Sequence, residues 1–237
     1  MMGHITGQPM AETFLAEAQK LLELERGLQT IPTLNALCLM YLTSALLGKD
    51  RVGLMYRYMA YGMLKRLDLE QKFARLNDDD PKEIRMKEIL SKTLWGIFCF
   101  ERYGYEFWLV KRAKVDLSLT LMCSRMSYFY SEPSLIRPPS VSKLFDERTE
   151  QGDKENQKSS PDSLHRSTPG LFHALCDLSE LFYEIMTYNS TASTVHGSTQ
   201  DFIERAQLYS KLKKWQGSLP KRLQAEENFT VQTCYLQ

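Results

Sequence analysis

The stretch that decides the fold reads Thr93-Leu94-Trp95-Gly96-Ile97-Phe98-Cys99-Phe100-Glu101-Arg102-Tyr103-Gly104-Tyr105-Glu106-Phe107-Trp108-Leu109. It holds two of the chain's three tryptophans and only three charged side chains. A helix that is apolar almost all round is stable in water only when other elements surround it. We therefore predict a buried central helix over about residues 81–109. Its charged residues Glu101, Arg102 and Glu106 must reach partners or the surface, because unpaired buried charges are costly.

Helical patterns recur on both sides of this stretch, and no long segment shows the alternation of a strand. Thr30, Asp50, Asp80 and Ser198 are suited to cap helix N-termini, and Gly48 and Gly217 to end helices. The predicted helices run from Met10 to Arg26, from Thr30 to Gly48, from Asp50 to Leu67, from Asp80 into the central helix, from Leu171 to about Asn189 and from Ser198 to Gly217. The fold class is all-α, an irregular multi-helix array around the central helix.

Apolar residues at helical spacing predict which faces pack. The predicted stripes are Phe14, Ala18, Leu21 and Leu22 in the first helix; Val52, Met55, Tyr56, Met59, Ala60, Met63, Leu64 and Leu67 in the third; and, in the last, Phe202, Ala206, Tyr209 and Lys213 on one line and Leu208, Leu212 and Trp215 on another. A solvated face is predicted for Lys82, Arg85, Lys87 and Lys92.

Composition limits the function classes. A net charge of +1, from 30 basic and 29 acidic residues, gives no overall electrostatic footprint for a nucleic-acid backbone. Five scattered cysteines without a C-x-x-C pair fit reduced buried thiols rather than a disulfide framework. The apolar run over residues 34–47 is shorter than the ~20 residues of a membrane span, and the N-terminus has no signal-peptide pattern.

The sequence lacks the motifs of an active site. It contains no nucleophile elbow, phosphate loop, dinucleotide fingerprint or zinc-protease motif. His173 and Cys176 lie on one predicted helical turn, but such a pair is more often at the edge of a core than catalytic. The triplet 78–80 suits a helix start better than a cation site. We therefore expect no catalytic, cofactor-binding or metal-binding residues and no enzyme activity.

Six segments of the chain resemble, in order, the middle homology region of fungal binuclear zinc-cluster transcription factors, the xylanolytic-activator-type fungal-specific transcription factor domain. They are Phe14–Leu22; Thr30–Leu37, similar to "T-x-Q-A-L" with Asn35 for Gln; Tyr56–Leu69, similar to "Y-x-G-x-A-x-R-M-A-x-x-L-G-L" with Tyr58 and Asp68 for glycines; Glu83–Arg102, similar to "E-x-R-R-R-x-W-W-x-x-F-x-x-D-R"; Leu135–Pro139, similar to "L-G-R-P-P" with Ile136 for Gly; and Tyr209–Pro220, similar to "L-x-x-W-x-x-x-L-P".

The resemblance implies a regulatory domain of a transcription factor that acts in the nucleus. In the family a zinc cluster N-terminal to this region binds DNA, and this chain contains no such cluster, so zinc and DNA contact would come from a missing part or from a partner. Protein partners or a homodimer are possible under this reading, and a membrane is not expected. The alternative is a cytoplasmic helical protein-interaction or ligand-binding module without DNA function.

The organisation expected is a single helical domain over residues 1–237, truncated at the C-terminus, with a polar linker at residues 146–169. Residues 110–131 separate two motifs that follow one another closely in the family, and they begin with Val, whose codons start with GT as introns do. They are either a retained intron in the gene model or an ordinary insertion with a short helix from Leu117 to Met126. Both readings stay open.

Overall fold

The chain is described here from a computed structural model, which covers residues 3–103, 136–145, 170–191, 193–224 and 236. Of the described residues 77% are helical and none lies in a strand, which confirms the all-α prediction. The helices in chain order are α1 (Gly3–Leu24), α2 (Ile31–Leu46), α3 (Asp50–Leu67), α4 (Leu69–Arg75), α5 (Pro81–Tyr103), α6 (Leu171–Thr191) and α7 (Thr199–Ser218), followed by a 3-10 turn (Lys221–Leu223). The predicted insert at 110–131 and linker at 146–169 lie outside the described residues.

The helices form two compact units, Met1–Arg75 and Leu76–Gln237. The first contains α1 to α4, and the second contains α5 to α7 with the extended segment 136–145. The prediction of one domain over residues 1–237 stays a prediction.

Helices α2 and α3 pack closely in the first unit. The Thr30 hydroxyl accepts the backbone N–H of Thr33 at 3.2 Å, as predicted for the N-cap of α2. At the other end Gly48 adopts φ +70°, a left-handed conformation in which side chains are strained, and this allows the chain to turn into α3. Asp50 is the first residue of α3, not its cap, since Lys49 occupies the cap position.

Fewer residues of α3 are buried than the sequence predicted. Tyr56, Ala60, Met63 and Leu67 are buried and Leu64 is half-buried. Val52, Met55 and Met59 are exposed, so the prediction is wrong for three of the eight residues of the stripe. The physical reason is Gly53. A Cβ there would lie 3.2 Å from the Tyr41 carbonyl oxygen of α2, so the helices approach along the line of this glycine.

Helix α1 is likewise rotated from the predicted face. Leu15 is buried, while Phe14 and Leu21 are exposed, contrary to prediction. The Gln19 side chain donates a hydrogen bond of 2.8 Å to the Tyr56 hydroxyl of α3. This polar contact orients α1 so that the line through Leu15 and Gln19 faces inward.

The second unit is built around α5, as predicted. Leu90, Leu94, Trp95, Ile97 and Phe98 are all buried along the middle of the helix. The helix is described to Tyr103, so the predicted extension to residue 109 lies outside the described residues.

The start of α5 departs from the prediction at one lysine. The Asp80 carboxylate accepts the Lys82 backbone N–H at 2.9 Å, as expected for the N-cap. Glu83, three residues after the cap, accepts the Asn77 N–H at 2.5 Å instead of the Asp80 N–H that it would bind in a capping box. Lys87 was predicted on a solvated face but is buried, with its Nζ 2.6 Å from Asp78.

Helices α6 and α7 share a separate apolar core with the residues that follow them. Its members are Leu171, Ala174, Leu178, Leu219, Leu223 and Leu236, with Leu175, Leu212 and Trp215 packed against them. The Leu212 and Trp215 line of α7 therefore faces inward, as predicted. On the other predicted line Phe202 and Tyr209 are exposed.

Candidate functional site

The extended segment 136–145 is bound to the buried face of α5 by hydrogen bonds. The Trp95 indole N–H donates to the Val141 carbonyl at 3.2 Å. The Ser91 hydroxyl, fully buried, donates to the Ser142 carbonyl at 2.7 Å and accepts the Leu144 N–H at 3.0 Å. These bonds satisfy backbone groups of a segment that belongs to no helix or sheet.

Lys143 connects this segment to α6. Its Nζ lies 2.5 Å from Asp177 and 2.5 Å from Glu180, and 4.5 Å from the centroid of the Trp95 ring. Burial opposes the charge, but the hydrogen bonds to the two carboxylates outweigh it and raise the pKa of Lys143. A lysine that holds its proton in this way serves as a structural cation, not as a general base.

Two thiols meet where α5 contacts α6. The Sγ atoms of Cys99 and Cys176 are 3.5 Å apart, and both cysteines are free and buried. The His173 ring, one turn before Cys176, packs edge-on against Phe145 with the ring centroids 4.5 Å apart. Cys176 therefore faces another thiol, and the ring of His173 faces an aromatic neighbour.

A polar cluster holds the start of α7 against the end of α6. The Asp201 carboxylate, 7% exposed, accepts the Tyr188 hydroxyl at 2.6 Å, the Gly197 N–H at 2.9 Å and the Arg205 Nε at 2.9 Å. The Tyr188 bond above all, then the Gly197 bond, lowers the pKa of Asp201 to about 2. The Asp201 N–H in turn donates to Ser198, the predicted N-cap. Both carboxylate oxygens of Asp201 therefore accept hydrogen bonds that hold the structure together.

The first unit contains an open groove of about 430 Å³ between the end of α1, the turn before α2 and the middle of α3. Its lining residues are Leu22, Glu25, Gly27, Leu28, Gln29, Thr33, Tyr58, Met59, Gly62, Met63 and Arg66. Most of the large side chains are apolar, and the groove also presents one carboxylate and one guanidinium. The Thr33 hydroxyl donates to Glu25 at 2.6 Å, whereas Arg66 makes no ion pair with any described residue.

Other charged residues are placed as follows. Asp78 of the acidic triplet pairs with Lys87. Lys211, in the basic cluster Lys211-Lys213-Lys214 on α7, pairs with Glu184 at 2.6 Å. Glu101 is half-buried and has an interaction partner. The side chain of Arg102, as well as Glu106 and the basic cluster at 111–114, lie outside the described residues.

Within the described ranges, no group of three or more histidine, cysteine, aspartate or glutamate side chains could hold a metal ion. No helix in the same part of the chain combines the length and the apolarity that a membrane crossing requires.

No protein-family model, no curated protein and no solved structure matches the chain.

Neither the groove nor the thiol contact was predicted from the sequence. Two local signals pointed to the groove. One is the Met and Tyr richness of α3, which supplies Tyr58, Met59 and Met63 to the lining but is more typical of core filling. The other is Gly62, which leaves room for the Arg66 guanidinium one turn further along α3. The thiol contact joins residues 77 positions apart, and no spacing rule could pair them.

Proposed function

We propose that the chain is a non-catalytic regulatory domain of a transcription factor that works in the nucleus. DNA and zinc binding would reside in a part of the protein outside this chain or in a partner. The observation that carries the proposal is the hydrogen-bonded contact between α5 and segment 136–145. Trp95 belongs to one motif of the resemblance and Val141 follows another, Leu135–Pro139, at a distance of two residues. The Trp95 to Val141 hydrogen bond therefore joins the first motif to the chain directly after the second, as expected if both belong to one domain.

A second observation supports the same proposal. Asp68 stands where the resembled motif has glycine, and its φ is +45°. That left-handed conformation favours glycine, and aspartate is among the few other residues that tolerate it. The backbone at this position therefore has the conformation that a glycine favours, although the residue differs.

The test is a reporter assay. The chain is fused to a heterologous DNA-binding domain of known operator, and transcription from that operator is compared with the DNA-binding domain alone. We expect a several-fold change in either direction, abolished by Trp95→Ala and retained by Phe202→Ala, which alters an exposed aromatic of the same unit. A fusion that occupies the operator in chromatin without changing transcription would contradict the proposal.

The purified chain alone should bind duplex DNA weakly and without sequence preference. Its net charge is +1, and Lys211 of the basic cluster on α7 is already paired with Glu184. The measurement is fluorescence anisotropy with two unrelated duplexes at physiological salt. Tight binding to one duplex and not to the other would refute the assignment of DNA contact to another part.

The groove of the first unit favours a second candidate function, the binding of a small organic ligand. Its volume lies within the range of small-molecule sites, roughly 300–1,000 Å³. Apolar side chains such as Leu28 and Met59 suit a hydrocarbon body. The guanidinium of Arg66, without an ion-pair partner among the described residues, suits a carboxylate. The matching ligand is a small apolar carboxylic acid.

This candidate is tested by thermal shift with octanoate, octanol and octylammonium as probes. Octanoate should raise the Tm, and Arg66→Gln should remove that shift. The control Arg51→Gln removes an exposed arginine from the same helix, outside the groove lining, and should leave the shift intact. Equal shifts from all three probes, or an octanoate shift that survives Arg66→Gln, would show that the groove does not select carboxylates.

A further inference from the structure

The thiols of Cys99 on α5 and Cys176 on α6 are in van der Waals contact, with 3.5 Å between the two Sγ atoms. A disulfide bond is about 2.05 Å long, so the sulfurs have to approach by about 1.5 Å. Small adjustments of two side chains on neighbouring helices can cover such a distance. The described structure contains both cysteines as free thiols.

The surroundings treat the two thiols differently. The Ser179 oxygen lies 3.4 Å from the Cys99 sulfur, and the Lys143 ammonium is close enough to act on both thiols. The hydrogen-bond contact with Cys176 above all, then the Ser179 bond and the Lys143 charge, outweighs burial and lowers the pKa of Cys99. The same contact, together with burial, raises the pKa of Cys176. Together with the Ser179 bond, which only Cys99 receives, these shifts favour the thiolate at Cys99 over the thiolate at Cys176.

Access to solvent follows the same order. Cys99 is 7% exposed and Cys176 is fully buried, so a small reagent arriving from solvent meets Cys99 first. The thiolate is the nucleophile in cysteine oxidation, and an adjacent second thiol resolves the product.

We propose that Cys99 and Cys176 form a redox modification site, at which a hydroperoxide oxidises the pair to a disulfide between α5 and α6. In the first step the Cys99 thiolate attacks one oxygen of hydrogen peroxide, the O–O bond breaks, and Cys99 sulfenic acid and hydroxide form. In the second step the Cys176 sulfur attacks the sulfenic sulfur, and the hydroxyl group leaves. It takes up the thiol proton as water.

The pair loses two electrons and two protons in total, and the peroxide is reduced to two molecules of water. A dithiol such as dithiothreitol reverses the reaction by thiol–disulfide exchange. The chemistry of the pair is independent of any role in transcription.

The experiment uses the full chain. The purified protein is treated with hydrogen peroxide at neutral pH, blocked with N-ethylmaleimide, digested and analysed by mass spectrometry. We expect a linked peptide pair containing Cys99 and Cys176, lighter by two hydrogens than the separate peptides and absent after dithiothreitol. The same linkage should form when Cys38, Cys123 and Cys234 are all replaced by alanine.

Two single variants test the order of the steps. In Cys176→Ala the resolving thiol is gone, so Cys99 sulfenic acid should accumulate and be trapped by dimedone. In Cys99→Ala dimedone should label Cys176 at least tenfold less, because that thiol is fully buried.

Three outcomes would overturn the proposal. In the first, peroxide oxidises other cysteines of the chain while Cys99 and Cys176 remain unlinked. Another is linkage of either residue to Cys38, Cys123 or Cys234 in preference to the pair. The third is dimedone labelling of Cys176 in Cys99→Ala at the level of Cys99 in Cys176→Ala.

Discussion

Replacement of Trp95 by alanine should destabilise the second unit severely. Trp95 is 2% exposed, lies edge-on to Phe98 with ring centroids 5.8 Å apart, and is the donor to the Val141 carbonyl. Loss of a buried aromatic side chain costs about 3–5 kcal/mol. A buried carbonyl left without its donor adds about 1 kcal/mol. The expected loss of about 4–6 kcal/mol is comparable with the whole stability of a typical domain, ~5–15 kcal/mol.

The variant Trp95→Phe separates the two contributions. It keeps an aromatic ring but cannot donate to Val141, so we expect a smaller loss of about 1–3 kcal/mol. Phe202→Ala is the matched control, because it removes an aromatic ring that is 75% exposed and should change stability by less than about 0.5 kcal/mol.

Urea unfolding followed by tryptophan fluorescence is the appropriate assay. All three tryptophans lie in the unit Leu76–Gln237, so the signal reports on that unit and not on Met1–Arg75. The two tryptophans left in each Trp95 variant still provide it. A loss for Trp95→Ala of less than about 1 kcal/mol, or one equal to that of Phe202→Ala, would refute the placement of Trp95 in the core.

Three further predictions concern single contacts. Ser91→Ala removes the two hydrogen bonds that the buried Ser91 hydroxyl makes to the Ser142 carbonyl and from the Leu144 N–H, and it should cost about 1–3 kcal/mol in urea unfolding. Thr93→Ala removes one bond within α5 itself and should cost less than half as much. Gly53→Ala should lower the Tm because its Cβ meets backbone at 3.2 Å; Gly62→Ala, whose Cβ meets only the movable end of an arginine, should raise it, and equal effects would contradict this reading. The folded-state pKa of Asp201 is depressed from 3.8 to about 2, so its stabilising effect is complete above about pH 4 and disappears as the pH falls towards 2. The Tm difference between wild type and Asp201→Asn should shrink over that interval, and a difference independent of pH from 6 to 2 would show that the carboxylate charge is not responsible.

The elements that were predictable from sequence are those defined by local signals. Thr30 and Ser198 cap their helices as expected, since an N-cap depends on residues within one turn. The burial of the central helix was also predictable, because a helix without a polar face has no stable alternative.

Which of two neighbouring apolar stripes of a helix is buried was not predictable from the sequence. On α3 the lines through Met55 and through Tyr56 are nearly equivalent in hydrophobicity, and hydropathy cannot rank them. The structure selects Tyr56 because Gly53 permits close approach to α2 and because Gln19 bonds to the Tyr56 hydroxyl. Both contacts involve residues of other helices, so the information is tertiary.

The contacts around α5 show why the chemistry of this chain could not be read from motifs. Trp95 and Cys99 lie one turn apart, and a turn of α-helix rises only 5.4 Å. Trp95 is bound to the extended segment, and Cys99 contacts α6. Lys143 links the two sites, because its ammonium group makes a cation–π contact with Trp95 and ion pairs with Asp177 and Glu180. A covalent change at Cys99 would therefore act on the same contacts that join α5 to segment 136–145. If the domain regulates transcription, the thiol pair lies where oxidation could alter that activity, since close-packed interiors transmit small displacements.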